Sequence, residues 1–328
     1  MELIRGLHNL RPGAQGCVLS IGNYDGVHKG HQALLQVLME AARRSGLPAT
    51  VMVFEPTPRE FFTPDEAPLR VLTLRDKLEA LASLGVSRVI VARFDAALAA
   101  CTPRAFAEDV IVKACAARVV VVGDDFRFGA KRAGNFELLQ KLGGELGFSA
   151  EQVPTLLLDG LRCSSTALRA ALANGRLDEA RALLGRRYVI SGVVRRGLAL
   201  ARELDMPTAN LPLLRLPPLP FGVYAVRCTV PGTAVANWAG VAALGVRPTI
   251  GTTPCLLEAH LFARPEPLYG RRLTVEFHQF LRFEKKFDTL ESLKTQMHLD
   301  AMAAKTFFAN ANRSAVPTIR DQSLLYRG

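Results

Sequence analysis

The sequence of 328 residues predicts an α/β protein with two domains: a parallel sheet in the N-terminal half, then an antiparallel β-barrel followed by a long helix. In the N-terminal half, continuous apolar runs alternate with amphipathic runs, which is typical of a parallel sheet covered by helices on both faces. After about residue 186, β-rich runs follow one another with Pro and Gly between them, which favours an antiparallel barrel. The length also exceeds the usual size of a single domain.

The N-terminal elements follow from these runs. Strands are predicted at 17–21, 49–54, 88–92 and 118–122. The helices between them are predicted at 32–44, 75–84 and 103–113. The last helix has a clear start, because Thr102 suits the N-cap and Pro103 suits the first helical position.

The C-terminal half predicts five or six short barrel strands, with runs at 188–194, 223–230, 238–245, 256–262 and 273–280. A Pro-rich loop is expected at 211–220 and the long amphipathic helix at about 289–309. We therefore expect domains at 1–185 and 186–310, and a mobile tail at 311–328.

Composition narrows the possible classes of function. The formal net charge of +11 fits phosphate-rich ligands or nucleic acid, but the basic residues are dispersed and form no long arm. The six cysteines include no C-x-x-C pair, which indicates reduced thiols rather than disulfides or a zinc site. No apolar run reaches membrane-span length, and the N-terminus lacks a signal-peptide layout. We expect a cytoplasmic monomer or weak homo-oligomer that binds small molecules, and neither nucleic acid nor membrane.

The most informative segment is 22–31, which reads Gly-Asn-Tyr-Asp-Gly-Val-His-Lys-Gly-His between a predicted strand and a predicted helix. A helix N-terminus points unpaired N–H groups and the positive end of its dipole outward, which suits phosphate. His28 and His31 add side-chain donors there, and Gly30 allows close backbone approach. The segment therefore predicts nucleotidyl transfer at this turn.

Three further clusters follow strands, and the third of them starts a helix. Residues 54–62 contain rigid prolines and paired aromatics, and residues 123–129 contain acids and aromatics. Ligands bind beyond the carboxyl ends of parallel strands, so segments 22–31, 55–62 and 123–134 should line one crevice. The third cluster, 164–169, has three hydroxyls followed by an arginine. Taken singly, a Phe pair is usually core and such hydroxyls are usually caps.

Together and in this order, the clusters resemble the signatures of the bifunctional bacterial riboflavin kinase/FAD synthetase family. The N-terminal half is similar to its Rossmann-like FMN adenylyltransferase (FAD synthetase) module, one of the His-x-Gly-His nucleotidylyltransferases. Segments 22–31 and 123–134 carry the most specific match. The sequence departs mildly at Tyr24, where phenylalanine is common, and at Cys163, where an aliphatic residue is common.

The resemblance implies roles for these residues in adenylyl transfer. The FMN phosphate is already an anionic nucleophile, so the reaction needs charge neutralisation and in-line placement instead of a general base. His28 and His31 would contact the ATP phosphates, and Arg169 would close on the leaving pyrophosphate. The implied nucleotide-binding residues are Gly22, Asn23, Asp25, Gly30, Ser164, Ser165 and Thr166. The implied flavin contacts are Phe62, Asp125, Phe126 and Phe128.

A second ordered set of motifs resembles the family's riboflavin kinase module. These motifs are Pro-Thr-Ala-Asn at 207–210, Gly-Val-Arg-Pro-Thr at 245–249, Leu-Leu-Glu-Ala-His-Leu at 256–261, Tyr-Gly-Arg at 269–271 and Leu-Arg-Phe-Glu-Lys-Lys-Phe at 281–287. The riboflavin hydroxyl is a poor nucleophile, so a general base helps, and the resemblance implies Glu258. Thr208 and Asn210 are the implied ligands of Mg²⁺ on the ATP phosphates.

The remaining implied contacts of the barrel are Gly192 and Arg202 for nucleotide, and Arg282 and Phe287 for flavin. Without the resemblance, Glu258 would be an outward-facing strand carboxylate and Thr208 and Asn210 part of a turn.

The nucleotide loop of the barrel departs from the family pattern. The family usually carries Gly-Arg shortly before Pro-Thr-Ala-Asn and Gly-Phe directly before it, whereas this chain has Ala201-Arg202 and Asp205-Met206. Ala and Asp tolerate positive φ less readily than Gly, so the loop could change shape. Because the implied base and metal ligands remain, an active kinase is expected.

The predicted function is therefore phosphorylation of riboflavin to FMN and adenylylation of FMN to FAD with release of pyrophosphate, both with ATP and Mg²⁺. One alternative is a nucleotidylyltransferase for another phosphate monoester, with a weakened kinase domain. A second is a basic nucleic-acid-binding protein on a transferase scaffold. The aromatic loop and the barrel disfavour the first, and the intact catalytic motifs disfavour the second.

Overall fold

The structure is a computed structural model that describes residues 1–10, 16–158, 160–196, 206–246, 255–263 and 268–314. The chain divides into two compact units. The first contains Met1–Asn174 and Glu179–Arg186, and the second contains Gly175–Asp178 and Arg187–Gly328. Among the described helices, none is both long and apolar enough to cross a membrane.

The first unit is built on a six-stranded sheet in the order β1-β4-β3-β2-β5-β6, with every neighbouring pair parallel. Its strands are β1 (Glu2–Arg5), β2 (Cys17–Ile21), β3 (Ala49–Glu55), β4 (Arg88–Arg93), β5 (Ala117–Gly123) and β6 (Ser149–Val153). Strand β2 is buried along its whole length, because it lies near the middle of the sheet. This explains its mostly apolar sequence, in which Ser20 is the single polar residue.

Helices follow most strands of this sheet. They are α1 (Lys29–Ser45), α2 (Pro58–Phe62), α3 (Leu74–Ser83), α4 (Ala96–Ala100), α5 (Pro103–Ala105) with a π-helical continuation (Phe106–Ala114), α6 (Phe136–Leu146), α7 (Ser165–Ala173) and α8 (Leu177–Leu184). A short hairpin, β7 (Leu157–Leu158) and β8 (Leu161–Arg162), precedes α7. The predicted N-cap of α5 is present, since the Thr102 hydroxyl accepts a hydrogen bond from the Ala105 N–H.

The strand order places the crevice of this sheet. From β2 the chain continues outward on one side through β3 and β4, whereas β5 and β6 lie on the other side. The order therefore reverses between β2 and β5, and a ligand crevice opens beyond the carboxyl ends of strands at such a point. Residues 22–31 and 123–134 begin there, as the sequence predicts.

The second unit is a six-stranded antiparallel sheet in the order β10-β13-β12-β11-β14-β9. Its strands are β9 (Val189–Val193), β10 (Ala209–Leu213), β11 (Gly222–Thr229), β12 (Trp238–Gly245), β13 (Cys255–Leu261) and β14 (Arg272–Phe283). The Arg195 N–H donates to the Asn210 carbonyl over 2.8 Å, which joins the chain after β9 to β10. This contact closes the sheet into a barrel.

A helix, α9 (Leu290–Ser314), packs on the outside of this barrel. Ala301, Ala304 and Phe308 of α9 share a buried cluster with Val223 of β11 and Val241 of β12. The small alanines allow the helix to lie close to the strands. The helix thus covers apolar residues that would otherwise face solvent.

The predicted fold class is confirmed, and the differences lie in individual elements. The sequence did not predict β1, β6 or β10, and β10 occupies part of the segment expected to be a Pro-rich loop. Helix α1 begins at Lys29 instead of 32, and α9 continues to Ser314. The first residues of the predicted mobile tail are therefore helical, and 315–328 lie outside the described residues.

Two adjacent glycines of α6 provide a matched test of packing. A Cβ on Gly143 would lie 2.5 Å from the Phe148 carbonyl oxygen, whereas one on Gly144 would have no neighbour within 4 Å. We expect Gly143→Ala to lower the free energy of unfolding by ~1–3 kcal/mol. Gly144→Ala should raise it by ~0.5–1 kcal/mol, because Ala is the better helix former. Urea denaturation of both variants measures the difference, and equal stabilities would contradict the close contact.

Candidate active sites

The turn between β2 and α1 brings the two motif histidines together. His28 is the N-cap of α1, and its Nδ1 accepts a hydrogen bond from the His31 N–H at 3.4 Å. The two rings stack with centroids 3.7 Å apart. Because Nδ1 of His28 is an acceptor, its ring proton is assigned to Nε2.

The backbone of this turn is held in an unusual shape. Tyr24 and Val27 have positive φ angles of 49° and 45°, which is a true outlier for a β-branched residue such as valine. Side chains hold the turn in place: the Val27 carbonyl accepts from Gln32 Nε2 (3.0 Å) and from Arg186 Nη1 (3.1 Å). The Gly26 carbonyl accepts from Arg186 Nη2 at 2.8 Å.

Gly30 is required by close contact. A Cβ at this position would lie 2.9 Å from the Cys163 carbonyl oxygen and 3.1 Å from the His28 ring. Any side chain would push apart α1 and the segment before α7. The sequence interpretation of Gly30 as a point of close approach agrees with this geometry.

The environment keeps both imidazoles neutral. Burial is the largest influence on His28 and lowers its pKa to about 4, while Asp25 acts in the opposite direction and Arg169 adds to the lowering. Burial, together with His28 and Lys77, holds the pKa of His31 well below its ordinary value. Neutral imidazoles can still donate hydrogen bonds, so the pair suits phosphate oxygens without carrying a charge of its own.

Asp25 organises the residues around the turn. Its buried carboxylate accepts from the N–H groups of Val71 (3.0 Å) and Leu72 (3.3 Å). It also pairs with Arg169 of α7, 3.0 Å away. Ser165 at the start of α7 donates to the Asp25 main-chain carbonyl at 2.9 Å. In this structure the Asp25 carboxylate therefore positions neighbouring groups, and its predicted contact with nucleotide stays a prediction.

The other predicted nucleotide-binding residues lie around the same turn. Asn23 and Thr166 are exposed, and Gly22 is half-buried. The Ser164 hydroxyl accepts from the Ala167 N–H at 3.1 Å, so this serine is the N-cap of α7. Its capping role was the plainer interpretation of the sequence.

A buried lysine lies in the same site and was not predicted. The ammonium group of Lys77, on α3, donates to the Asn23 carbonyl at 2.7 Å. Burial is the main cause that lowers the pKa of Lys77, and Asp25 acts against it. Its sequence context is an ordinary amphipathic helix, so only the fold reveals that it faces the turn.

The aromatic residues divide into an exposed group and a buried group. Phe62 is 60% exposed and makes edge contacts with Phe61 (5.3 Å) and Phe94 (5.7 Å). Phe126 is half-buried and stacks on Phe128 at 5.6 Å, but Phe128 is only 5% exposed. Phe62 and Phe126 can offer ring surface to a flavin. Phe128 belongs to the core and packs against Phe126, and its contact with flavin stays a prediction.

The acidic loop after β5 is tied to the segment after β6. Asp124 accepts from the Thr155 N–H and hydroxyl, both at 2.8 Å, and these hydrogen bonds outweigh the effect of burial and lower its pKa. Asp125 pairs with Arg162 at 2.5 Å on the exposed surface. Arg162, like Lys77, was not singled out from the sequence, although it lies only two residues before the predicted 164–169 cluster.

In the barrel, Glu258 and Asn210 face each other across β13 and β10. Directly opposite residues of an antiparallel pair share one face of the sheet. Along β13, Cys255, Leu257, Ala259 and Leu261 are buried, whereas Leu256, Glu258 and His260 are half-buried, so Glu258 lies on the less buried face of the strand. Among the described residues, Oδ1 of buried Asn210 has no hydrogen-bond partner. Thr208 lies two residues before it and is half-buried.

The barrel residues that are predicted to contact flavin already contact other side chains of the protein. Arg282 of β14 donates from Nε and Nη2 to the buried Asp300 of α9, at 2.8 and 2.7 Å. Its guanidinium also lies 5.8 Å from the Phe287 ring centroid. Arg282 thus connects α9 to the barrel, and a flavin contact by it stays a prediction. Gly192 lies on β9, opposite Leu273.

Part of the kinase prediction lies outside the described residues. This applies to Arg202, to Ala201 and Asp205 of the departing loop, and to the Arg-Pro-Thr motif at 247–249.

Two family models match separate parts of the chain. Residues 11–167 match the model of FAD synthetase, and residues 184–308 match that of riboflavin kinase. The chain is 47% identical over 310 residues to the bifunctional riboflavin kinase/FMN adenylyltransferase of Pseudomonas fluorescens, covering 94% of this chain and 98% of the relative. The chain belongs to the bifunctional riboflavin kinase/FMN adenylyltransferase family.

Other members of the riboflavin kinase/FMN adenylyltransferase family are similar over the same length. The proteins of that name from Escherichia coli (strain K12) and Haemophilus influenzae are 47% and 44% identical, over 309 and 308 residues, each covering 94% of this chain. These alignments cover 98% and 99% of the two relatives.

A crystal structure described as a macrolide-efflux protein from Streptococcus pneumoniae resembles the chain with a TM-score of 0.79 and 28% identity. It matches 93% of this chain and 99% of its own. The likeness therefore extends over both units of this chain.

The buried histidine gives the N-terminal unit a pH-dependent stability. His28 titrates near 6.5 when unfolded and at about 4 when folded, so between these values the unfolded chain binds the extra proton. The stability that comes from neutral, buried His28 is fully present above pH 6.5 and is lost as the pH falls toward 4. From pH 7.5 to 5, wild type should lose on the order of 2 kcal/mol more unfolding free energy than His28→Gln. Urea denaturation at both pH values measures this.

The control for that experiment is His8→Gln, because His8 is an exposed histidine of the same unit. This variant should keep the pH dependence of wild type. If the stability of His28→Gln depends on pH as that of wild type does, His28 cannot be a buried, neutral imidazole in the folded protein.

Proposed function

We propose that the chain makes FAD from riboflavin in two ATP-dependent steps. Residues 186–310 phosphorylate riboflavin to FMN, and residues 1–185 adenylylate FMN with release of pyrophosphate. The observation that carries the proposal is the match of the FAD synthetase and riboflavin kinase models to separate parts of one chain. Each part has its own cluster of candidate site residues, and relatives named for both activities cover 94% of the chain.

In the adenylyl transfer, a phosphate oxygen of FMN attacks the α-phosphorus of ATP and pyrophosphate leaves. No proton has to be removed from the nucleophile. The task of the protein is to neutralise charge and align the groups. The proposal assigns the contacts with ATP phosphates to neutral His28 and His31. Arg169, already oriented by Asp25, would bind the leaving pyrophosphate.

The flavin ring would lie against the aromatic side chains of the same crevice. Phe62 and Phe126 have accessible ring surface, and offset stacking contributes ~0.5–1.5 kcal/mol beyond burial. Asp125 lies in the loop that contains Phe126, and we propose that it faces the flavin end of FMN.

In the kinase step, the riboflavin hydroxyl attacks the γ-phosphorus of ATP and ADP leaves. We propose that Glu258 accepts the hydroxyl proton. Its position opposite Asn210 supports this role, because the two side chains lie on the same face of the sheet. Gly192 and Arg202 would contact nucleotide, and Arg282 and Phe287 would lie near the flavin.

The residues around Asn210 suit Mg²⁺. Buried oxygen atoms are normally hydrogen-bonded, yet Oδ1 of Asn210 has no such partner among the described residues. An amide oxygen beside the Thr208 hydroxyl suits a hard cation. We propose that these two residues hold Mg²⁺, which would neutralise charge on the ATP phosphates.

The remaining sequence predictions concern the surroundings of the protein. We propose a cytoplasmic enzyme that acts on small molecules, as a monomer or weak homo-oligomer. We propose that it binds neither nucleic acid nor membrane.

Variants of the two sites should separate the two activities. With riboflavin, ATP and Mg²⁺, His28→Ala should accumulate FMN, because FAD formation falls by ~10²–10³ when a charge-stabilising donor is lost. Glu258→Ala should slow FMN formation by ~10²–10⁴ through loss of the base, yet convert added FMN to FAD at the wild-type rate. A chromatographic time course measures all three flavins.

Wild type is the reference for both variants. If wild type converts supplied FMN to FAD but forms no FMN from riboflavin, the kinase assignment is wrong. If His28→Ala makes FAD at the wild-type rate, the adenylyl-transfer site lies elsewhere.

The metal assignment has a separate test. Asn210→Ala should raise the Mg²⁺ concentration for half-maximal riboflavin phosphorylation at least about tenfold, because a ligand oxygen is lost. Adenylylation of supplied FMN by the same variant should keep its wild-type Mg²⁺ dependence. An unchanged Mg²⁺ requirement for phosphorylation would remove Asn210 from the metal site.

A further inference from the structure

Arg70 lies between two acidic side chains of residues 55–62. This segment contains Phe62, and we call it the flavin-side loop. Arg70 donates from Nη1 and Nη2 to both carboxylate oxygens of Glu55, at 2.8 and 2.6 Å. Its Nε donates to Glu60 at 2.6 Å, and Nη2 makes a further contact with the same carboxylate. The Arg70 side chain is only 10% exposed. One guanidinium therefore joins the end of β3 to α2.

Glu60 also fixes the start of the helix that carries the exposed aromatics. Its carboxylate accepts from the Thr57 N–H at 2.9 Å, and its own N–H donates to the Thr57 hydroxyl at 3.4 Å. This capping box sets the first turn of α2. Phe62 is at the end of the same short helix, so its position depends on the Glu60 anchor.

The backbone on either side of Arg70 contacts the phosphate-binding residues. The Leu69 carbonyl accepts from Arg169 Nε at 3.0 Å. The N–H groups of Val71 and Leu72 donate to Asp25. The four residues 69–72, which we call the strap, thus touch the candidate pyrophosphate arginine, the His28 turn and the flavin-side loop.

The chemistry of this contact requires arginine. The planar guanidinium binds two carboxylates at once, whereas a lysine ammonium acts as a point charge and cannot reproduce that geometry. Removing the cation would take from Glu55 and Glu60 the guanidinium that both of them bind, and a largely buried site tolerates the loss of a charge partner poorly. The loop would then move away from the strap.

We propose that Arg70 is a positioning residue that sets the flavin-side loop 55–62 against the phosphate-binding residues and thereby determines the affinity for FMN. The inference rests on the proposed function, because it assumes that FMN binds beside Phe62. It assigns to Arg70 no contact with the reacting atoms. The phosphate side of the strap depends on backbone groups, which substitution of the Arg70 side chain leaves in place.

The test is steady-state adenylylation by the full-length protein, with FMN and ATP varied separately. Arg70→Lys should raise KM for FMN at least about tenfold, because charge-assisted hydrogen bonds to two carboxylates are lost. KM for ATP and kcat should change little. The matched control is Arg75→Lys, since Arg75 pairs with Glu79 on the exposed surface of α3. This control should behave as wild type.

A double-mutant cycle separates positioning from general loosening. Glu55→Gln should raise KM for FMN in the wild-type background and have no further effect when combined with Arg70→Met. Should Arg70→Met fail to fold, Arg70→Lys still provides the test, because it keeps the charge.

An unchanged KM for FMN in Arg70→Lys would overturn the inference, and so would an equal rise of KM for FMN and ATP. These outcomes differ from failure of the proposed function, in which wild type itself would form no FAD from FMN and ATP.

Discussion

The buried carboxylate of Asp25 connects the parts of the N-terminal site. A carboxylate taken out of water needs several donors, and this one obtains them from the N–H groups of Val71 and Leu72 and from Arg169. Asp25 itself lies in the turn that precedes the His28 cap. The same ionic group therefore holds the turn, α7 and the strap together. Without it, Arg169 would lose its only carboxylate partner among the described residues.

The two candidate sites contain different kinds of chemical group. In the N-terminal unit, cations such as Arg169 and Lys77 surround two neutral imidazoles at a helix N-terminus. In the barrel, the prominent groups are oxygen atoms, those of Glu258, Asn210 and Thr208. The difference suits the proposed roles, because an FMN phosphate needs its negative charge offset, whereas a neutral hydroxyl needs a base.

The sequence predicted the elements that rest on local pattern. Apolar runs located the central strands, and segment 22–31 located the first candidate site. Strand β10 was missed because Pro212 lies within it, and a proline normally argues against a strand. Lys77 and Arg186 were missed because each donates to a backbone carbonyl far away in the chain, which leaves no local signal. The burial of Phe128 could not be predicted, because the order of residues in a loop does not show which aromatic ring packs into the core.

Different atoms of Asn210 take part in the closure of the barrel and in the proposed metal site. Its main-chain carbonyl accepts the hydrogen bond that closes the sheet, while its side-chain oxygen is unpaired among the described residues. Side-chain replacement changes only the second of these. An ester in place of the Arg195 amide would remove the closing donor and leave the amide side chain of Asn210 intact. Backbone chemistry, rather than further side-chain variants, can thus separate the closure of the barrel from the proposed binding of Mg²⁺.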